Sequence, residues 1–308
     1  MTDFLAIDGG RIAFDVAGEG PLIVLAHGIG DRRQAYRFLA PALVRAGFRV
    51  AAMDMRGHGE SSMGDWKSIT RTDVAGDMVA LVRHLGGGAA VIAGQSLSGG
   101  AATIAAATAP DLVSGIVEIG PFTRKPAMDL GGLLRIRRYR RGGLLMMGVQ
   151  LFHSLNSWVR YLDVAYPTKP ADYAAYITAL RAKLSEPGRM AEFMKTLKTT
   201  GADAEAQLPH IACPALVIMG TADPDWADPR AEAEAIVAAM PAGLGTVAMA
   251  YCLRWVSVSR ERAACQNALV QRRCSTYMTG GSSHHQADGR FCAIRTADAL
   301  IPSNPSRS

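Results

Sequence analysis

Five short, mainly apolar strand-like runs, each followed by a turn containing Gly or Asp, constrain the fold of this 308-residue chain more than any other feature. They are Leu22–Ala26, Val50–Met55, Ala90–Ala93, Ile116–Ile119 and Ala215–Met219. Strands that are apolar at successive positions, not only at alternate ones, need cover on both faces, which is the situation of a parallel sheet. Segments of helical period lie between the runs. Residues 32–46 place Tyr36, Leu39, Leu43 and Val44 on one face. A helix from about Asp73 to Leu85 buries Val74, Met78, Leu81, Val82 and Leu85, with Thr72 as the expected N-cap and Gly86 as the stop. An Ala-rich helix ends near Pro110, and another covers about 229–239. Two short strands, Phe4–Ile7 and Arg11–Val16, flank Gly9-Gly10 at the start, and Gly245–Met249 reads as a last strand. This order predicts an α/β fold: a mostly parallel central sheet with right-handed crossovers and helices on both faces.

The alternation stops after residue 122 and resumes at 211. Residues 123–210 are helical by pattern, with no convincing strand, as a cap inserted late in the sheet would be. The expected organisation is therefore a first core part over 1–122, a helical cap over 123–210, a second core part over 211–249 and an atypical tail over 250–308. Residues 249–308 contain eight Arg, no Lys and three acids, so they carry +5 of the chain's net +6. Four of the five cysteines, Cys252, Cys265, Cys274 and Cys292, lie in the tail at spacings that match no zinc motif. A reading-frame change near residue 250 accounts for such a segment better than a genuine, diverged C-terminus does. The tail is expected to be poorly ordered, because it lacks an amphipathic period that would offset its ordering entropy.

Chemistry concentrates at the ends of the apolar runs. Gly94-Gln95-Ser96-Leu97-Ser98-Gly99 joins a strand to a helix, the setting of a nucleophile elbow. Such a turn is tight, so the residues two before and two after the nucleophile must be small; Gly94 and Ser98 qualify. His27-Gly28-Ile29-Gly30 follows the first parallel strand, about 70 residues before Ser96. The N–H groups of Ile29 and Leu97 are the expected oxyanion hole. A third segment, Asp54-Met55-Arg56-Gly57-His58-Gly59-Glu60-Ser61, follows the second parallel strand.

In their order and spacing these three motifs resemble the α/β-hydrolase superfamily over about residues 10–249. The resemblance implies that Ser96 is the nucleophile. Asp223, after the strand Ala215–Met219, stands at the acid position, beside Asp225 and Asp228. It also implies that His27 and His58 brace their loops. The family places its catalytic histidine just after the last strand, yet residues 250–256 contain none; the next are His284 and His285. Those two are expected to lie far from Ser96, since recruiting them means ordering about 30 residues at roughly 1–2 kcal/mol each.

The expected function is hydrolysis of an ester, thioester or related acyl bond through an acyl-enzyme on Ser96. The alternatives are a non-catalytic ligand-binding protein on the same fold, or a defective copy lacking its histidine. No cofactor and no metal are implied, and the expected partner is a small-molecule acyl substrate. Nucleic acid is excluded, because the basic excess sits on the tail and not on a patterned surface. No run approaches the roughly 18 apolar residues of a spanning helix. Met1-Thr2-Asp3-Phe4-Leu5 lacks a basic stretch followed by an apolar one, so a cytoplasmic location is expected. The segment Arg135-Ile136-Arg137-Arg138-Tyr139-Arg140-Arg141 reads as a solvated cap face beside an apolar stripe turned to substrate. A helix of that kind also suits a membrane surface.

Overall fold

The computed structural model describes residues 2–250. Strands β1 (Asp3–Ile7) and β2 (Gly10–Ala17) form an antiparallel hairpin whose turn places Gly9 at φ +76°, a conformation glycine adopts without strain. The remaining strands are β3 (Leu22–Ala26), β4 (Arg49–Met53), β5 (Ala90–Gln95), β6 (Val113–Ile119), β7 (Ala215–Gly220) and β8 (Gly245–Ala250). They join one sheet in the order β1-β2-β4-β3-β5-β6-β7-β8, parallel from β4 onward.

Every residue of β3 and β5 is buried, the apolar ones and the polar Gln95 that ends β5 alike. Successive side chains leave opposite faces of a strand. Leu22, Val24 and Ala26 accordingly pack with α2 (Arg71–Leu85) and α3 (Leu97–Thr108), whereas Ile23 and Leu25 pack with α1 (Leu39–Arg45). After β3 the chain crosses to β4 on one side and then returns to β5 on the other. That reversal leaves a crevice at the carboxyl ends of β3 and β5, where open α/β sheets place their ligands.

Two helix starts differ from the sequence expectation. Helix α2 begins at Arg71, capped by Thr70 and not Thr72: Thr70 Oγ1 accepts from Asp73 N at 3.0 Å, and Asp73 Oδ2 accepts from Thr70 N at 2.8 Å. Asp73 thus closes a capping box with a shorter side chain than the usual Glu. Thr72 instead donates to Asp203. The single helix expected over 32–46 is split into a 3-10 turn, Arg33–Tyr36, and α1. Pro41 is the reason, since it has no N–H for the Arg37 carbonyl and would clash with it.

Between β6 and β7 the chain forms α4 (Leu130–Arg135), α5 (Arg137–Phe152), α6 (Leu155–Ala165), α7 (Tyr173–Leu184), α8 (Arg189–Thr196) and α9 (Ala202–Glu205). Their core is aromatic, with Trp158 stacked on Tyr161 and packed against Phe193. They are tied to the sheet unit by polar bonds. Trp158 Nε1 donates to Gly30 O at 3.0 Å, Tyr176 donates to Asp31, and Arg37 forms a two-pronged pair with Asp172 at 2.6 and 2.7 Å. No helix among the described residues is long and apolar enough to cross a membrane.

Glu118 of β6 is fully buried and accepts from Thr103 and, at 3.0 Å, from Thr123. Burial pushes its carboxyl up from 4.5 to about 7, against the two threonine bonds. Between those values the folded chain holds a proton that the unfolded chain has lost, so this residue makes stability fall as pH rises from 4.5 to about 7. Glu118→Gln is neutral throughout and is expected to lack that fall. Above the window it should exceed the parent by on the order of 3 kcal/mol. Urea unfolding of both proteins at acidic and alkaline pH reads the difference; parallel pH profiles would refute it.

Candidate active site

Ser96 sits at the junction of β5 and α3 with φ 55° and ψ −119°. Besides His153 it is the only non-glycine residue at positive φ among the described residues. That strain persists because the surroundings over-determine it. Ser96 N donates to Ile119 O at 3.0 Å, and Ser96 O accepts from Gly99 N at 3.0 Å and Phe122 N at 3.1 Å. The small residues are sterically required. A Cβ on Gly94 would lie 1.9 Å from Ser98 O, and one on Gly99 would lie 2.8 Å from Pro121 Cβ. The elbow leaves Ser96 partly exposed while residues 90–95 and 97–100 are buried.

The loop after β3 lies against this serine, since a Cβ on Gly28 would come within 3.0 Å of Ser96 Cβ. Ser98, which replaces the more usual glycine, joins the two segments: its buried hydroxyl donates to His27 O at 2.6 Å. The ring of His27 is engaged at both nitrogens. Nδ1 donates to Gly28 O at 2.7 Å and Nε2 accepts from Met55 N at 3.1 Å. The carboxylate of Asp54 lies 3.7 Å from His27 Nε2. Ile29 N and Leu97 N donate no hydrogen bond within the described residues. Leu97 opens α3, where an N–H has no intrahelical acceptor.

The third motif is a structural turn. Asp54 accepts from Arg33 N at 2.6 Å and Glu60 N at 2.8 Å and pairs with the Arg33 guanidinium. His58 is buried, with Nδ1 bonded to Arg56 O at 3.0 Å. Burial, reinforced by His27 and Arg189, pushes His58 down to about 3, so it is neutral at physiological pH.

Asp223 follows β7 and lines a small cavity of about 40 Å³ together with Ser96, Gln95, Tyr161 and Asp225. Asp223 Oδ1 accepts from Asp225 N at 2.9 Å, which tightens the loop. Tyr161 of α6 donates to Asp225. Asp228 instead caps α10 (Pro229–Ala238), accepting from Arg230 N and Ala231 N at 3.1 Å each. The helices between β6 and β7 reach the cavity through Tyr161, Ala165 and Pro167. The cavity is small and its lining is mixed, with Ile119, Ala165 and Ala222 beside Ser96, Gln95, Tyr161 and the aspartates.

Arg138 was not singled out by the sequence as a site residue, yet it holds this loop. Its guanidinium donates to Asp223 O at 2.9 Å, Trp226 O at 2.6 Å and Ala227 O at 3.0 Å. Only its place in a run of arginines signalled it, and nothing in that run distinguishes it from its neighbours.

His27, His58, His84, His153 and His210 are the histidines of the described residues, and none lines the cavity with Ser96. The chain leaves β8 at Ala250, paired with Gly220 beside the Asp223 loop. His284, His285 and the expectations for the tail lie outside the described residues. Among the described residues no cluster of three or more His, Cys, Asp or Glu is arranged to hold a metal ion.

Residues 20–247 match the family described as serine aminopeptidase, S33. The chain is 34% identical over 172 residues to a 2-(acetamidomethylene)succinate hydrolase of Mesorhizobium japonicum, covering 54% of this chain and 57% of that protein. It is 34% identical over 116 residues to epoxide hydrolase B of Mycobacterium tuberculosis, covering 37% of this chain and 33% of that protein. The chain thus spans between a third and somewhat over half of the length of these curated relatives. An esterase from Exiguobacterium antarcticum shares the fold with a TM-score of 0.68 at 18% identity, covering 88% of this chain and 99% of that one.

Proposed function

The chain belongs to the serine aminopeptidase S33 family of α/β-hydrolases, and from that premise we propose that it cleaves an ester, thioester or related acyl bond through an acyl-enzyme on Ser96. The observation that carries the reading is the strained, partly exposed Ser96 beside Asp223 in one cavity. In the proposed reaction Ser96 Oγ attacks the acyl carbon. The bond to the alcohol or thiol breaks and that leaving group departs with the serine proton. Water then cleaves the acyl-enzyme to the acid and free Ser96. The N–H groups of Ile29 and Leu97 stabilise the oxyanion, and each such donor is worth roughly 3–4 kcal/mol in the transition state. Asp223 stands at the acid position, where a carboxylate would orient a histidine, and Arg138 holds its loop through the Asp223 carbonyl. Residues 123–210 act as the cap that closes over the reacting group.

The relatives' names divide between acyl-type and epoxide chemistry, and the elbow residue favours the first. A serine that opened an epoxide would be left as a stable ether. A carboxylate forms an ester that water then cleaves. Treatment with a fluorophosphonate tests the reading. The expected adduct, mapped by peptide mass spectrometry, is on Ser96; an adduct on Ser98, or none after prolonged exposure, would sink the assignment.

A further inference from the structure

We propose that α4 and α5 form a docking surface for a lipid membrane with anionic headgroups. Helix α5 carries two different stripes. Gly142 and Val149 are buried, Gly142 against Pro224 of the Asp223 loop and Val149 in the aromatic core. The other stripe, at spacings of three and four, is Arg137, Arg140, Leu144, Met147 and Leu151, and every member is exposed. Leu144 is 57% exposed, Leu151 66% and the adjoining Phe152 79%. Leu134 of α4, 79% exposed, continues the surface, because Arg140 Nη1 donates to Leu134 O at 2.9 Å. From Leu130 to Phe152 there are five arginines and no acidic residue.

Protruding Leu, Met and Phe side chains beside arginines form the amphipathic pattern of a helix lying in a membrane interface. The charge selects the occupant. A second copy of this chain would set arginine stripe against arginine stripe. Residues 251–308, with eight Arg and three acids, carry the same sign. Anionic headgroups over an acyl interior supply both the counter-charge and the apolar cover. Arg138 and Gly142 join this helix to the Asp223 loop, so docking would place the candidate site at the lipid boundary.

The full chain is sedimented with vesicles of phosphatidylcholine and phosphatidylglycerol in equal parts, and with pure phosphatidylcholine vesicles. Binding is expected to the mixed vesicles, at least tenfold weaker to the neutral ones, and weakened by salt. Each of Arg135→Gln, Arg137→Gln and Arg141→Gln is expected to lower partitioning about fivefold, the change that ~1 kcal/mol per basic residue produces. The triple variant Leu134→Gln/Leu151→Gln/Phe152→Gln is expected to lose at least tenfold with an unchanged melting curve, since all three positions are exposed. The tail's arginines also attract anionic vesicles, so the variants decide. Equal binding to both vesicle types, no binding to the mixed ones, or variants that bind like wild type would overturn the proposal. So would a concentration-dependent dimer that Phe152→Gln dissolves. The readout is binding, so failure here is separate from failure of acyl hydrolysis.

Discussion

Ser96→Ala is expected to abolish both fluorophosphonate labelling and any acyl turnover above the uncatalysed background, while Ser98→Ala retains both. The two hydroxyls sit two residues apart but do different things. Ser96 lies in the cavity with Asp223, and Ser98 Oγ is buried and committed to His27 O at 2.6 Å. Removing the Ser98 hydroxyl leaves a buried carbonyl without its donor, a loss of about 1–3 kcal/mol in stability. The expected signature of Ser98→Ala is therefore a lower melting temperature with the labelling site unchanged. Loss of labelling in Ser98→Ala while Ser96→Ala still labels would reverse the assignment.

The second large effect concerns the base. A serine hydroxyl needs an acceptor for its proton, and general-base catalysis contributes typically 10²–10⁴-fold. Residues 250–256 contain no histidine, and no histidine of the described residues lines the cavity. Turnover of an activated ester is therefore expected to be slow, proceeding through Ser96 with the help of the oxyanion donors and binding but without a general base. His284→Ala and His285→Ala are expected to leave that rate unchanged. A histidine scan over residues 251–255, which follow β8 directly, is expected to contain one variant whose rate rises by roughly 10²–10⁴-fold. Robust wild-type turnover that vanishes in His284→Ala or His285→Ala would refute this.

Features that depend on near neighbours in the chain were legible from the start. A strand apolar at every position announces a sheet covered on both faces, as β3 is. The elbow was legible because its small residues answer a local clash, 1.9 Å for a Cβ at Gly94. Asp223 was expected at the acid position from the family resemblance, because it follows the strand Ala215–Met219. Helix starts were less legible: Thr70 and Thr72 are equivalent by type, and only the geometry that brings Asp73 back to Thr70 N separates them.

What the sequence by itself determined was the sheet, its motifs and the absence of histidine after the last strand. The tertiary structure alone decided how side chains distant in sequence meet. It made Ser98 a tie to His27, 71 residues away. It made Glu118 a buried acid held by Thr103 and Thr123, and it chose Arg138 out of five arginines to hold the Asp223 loop. It also decided which face of α5 is covered. Leu145, Met146 and Val149 form one apolar stripe and Leu144, Met147 and Leu151 another. Helical period gives the two stripes but not their neighbours. Burial of one and exposure of the other comes from where Pro224 and the aromatic core meet the helix, a contact between segments that no local pattern encodes.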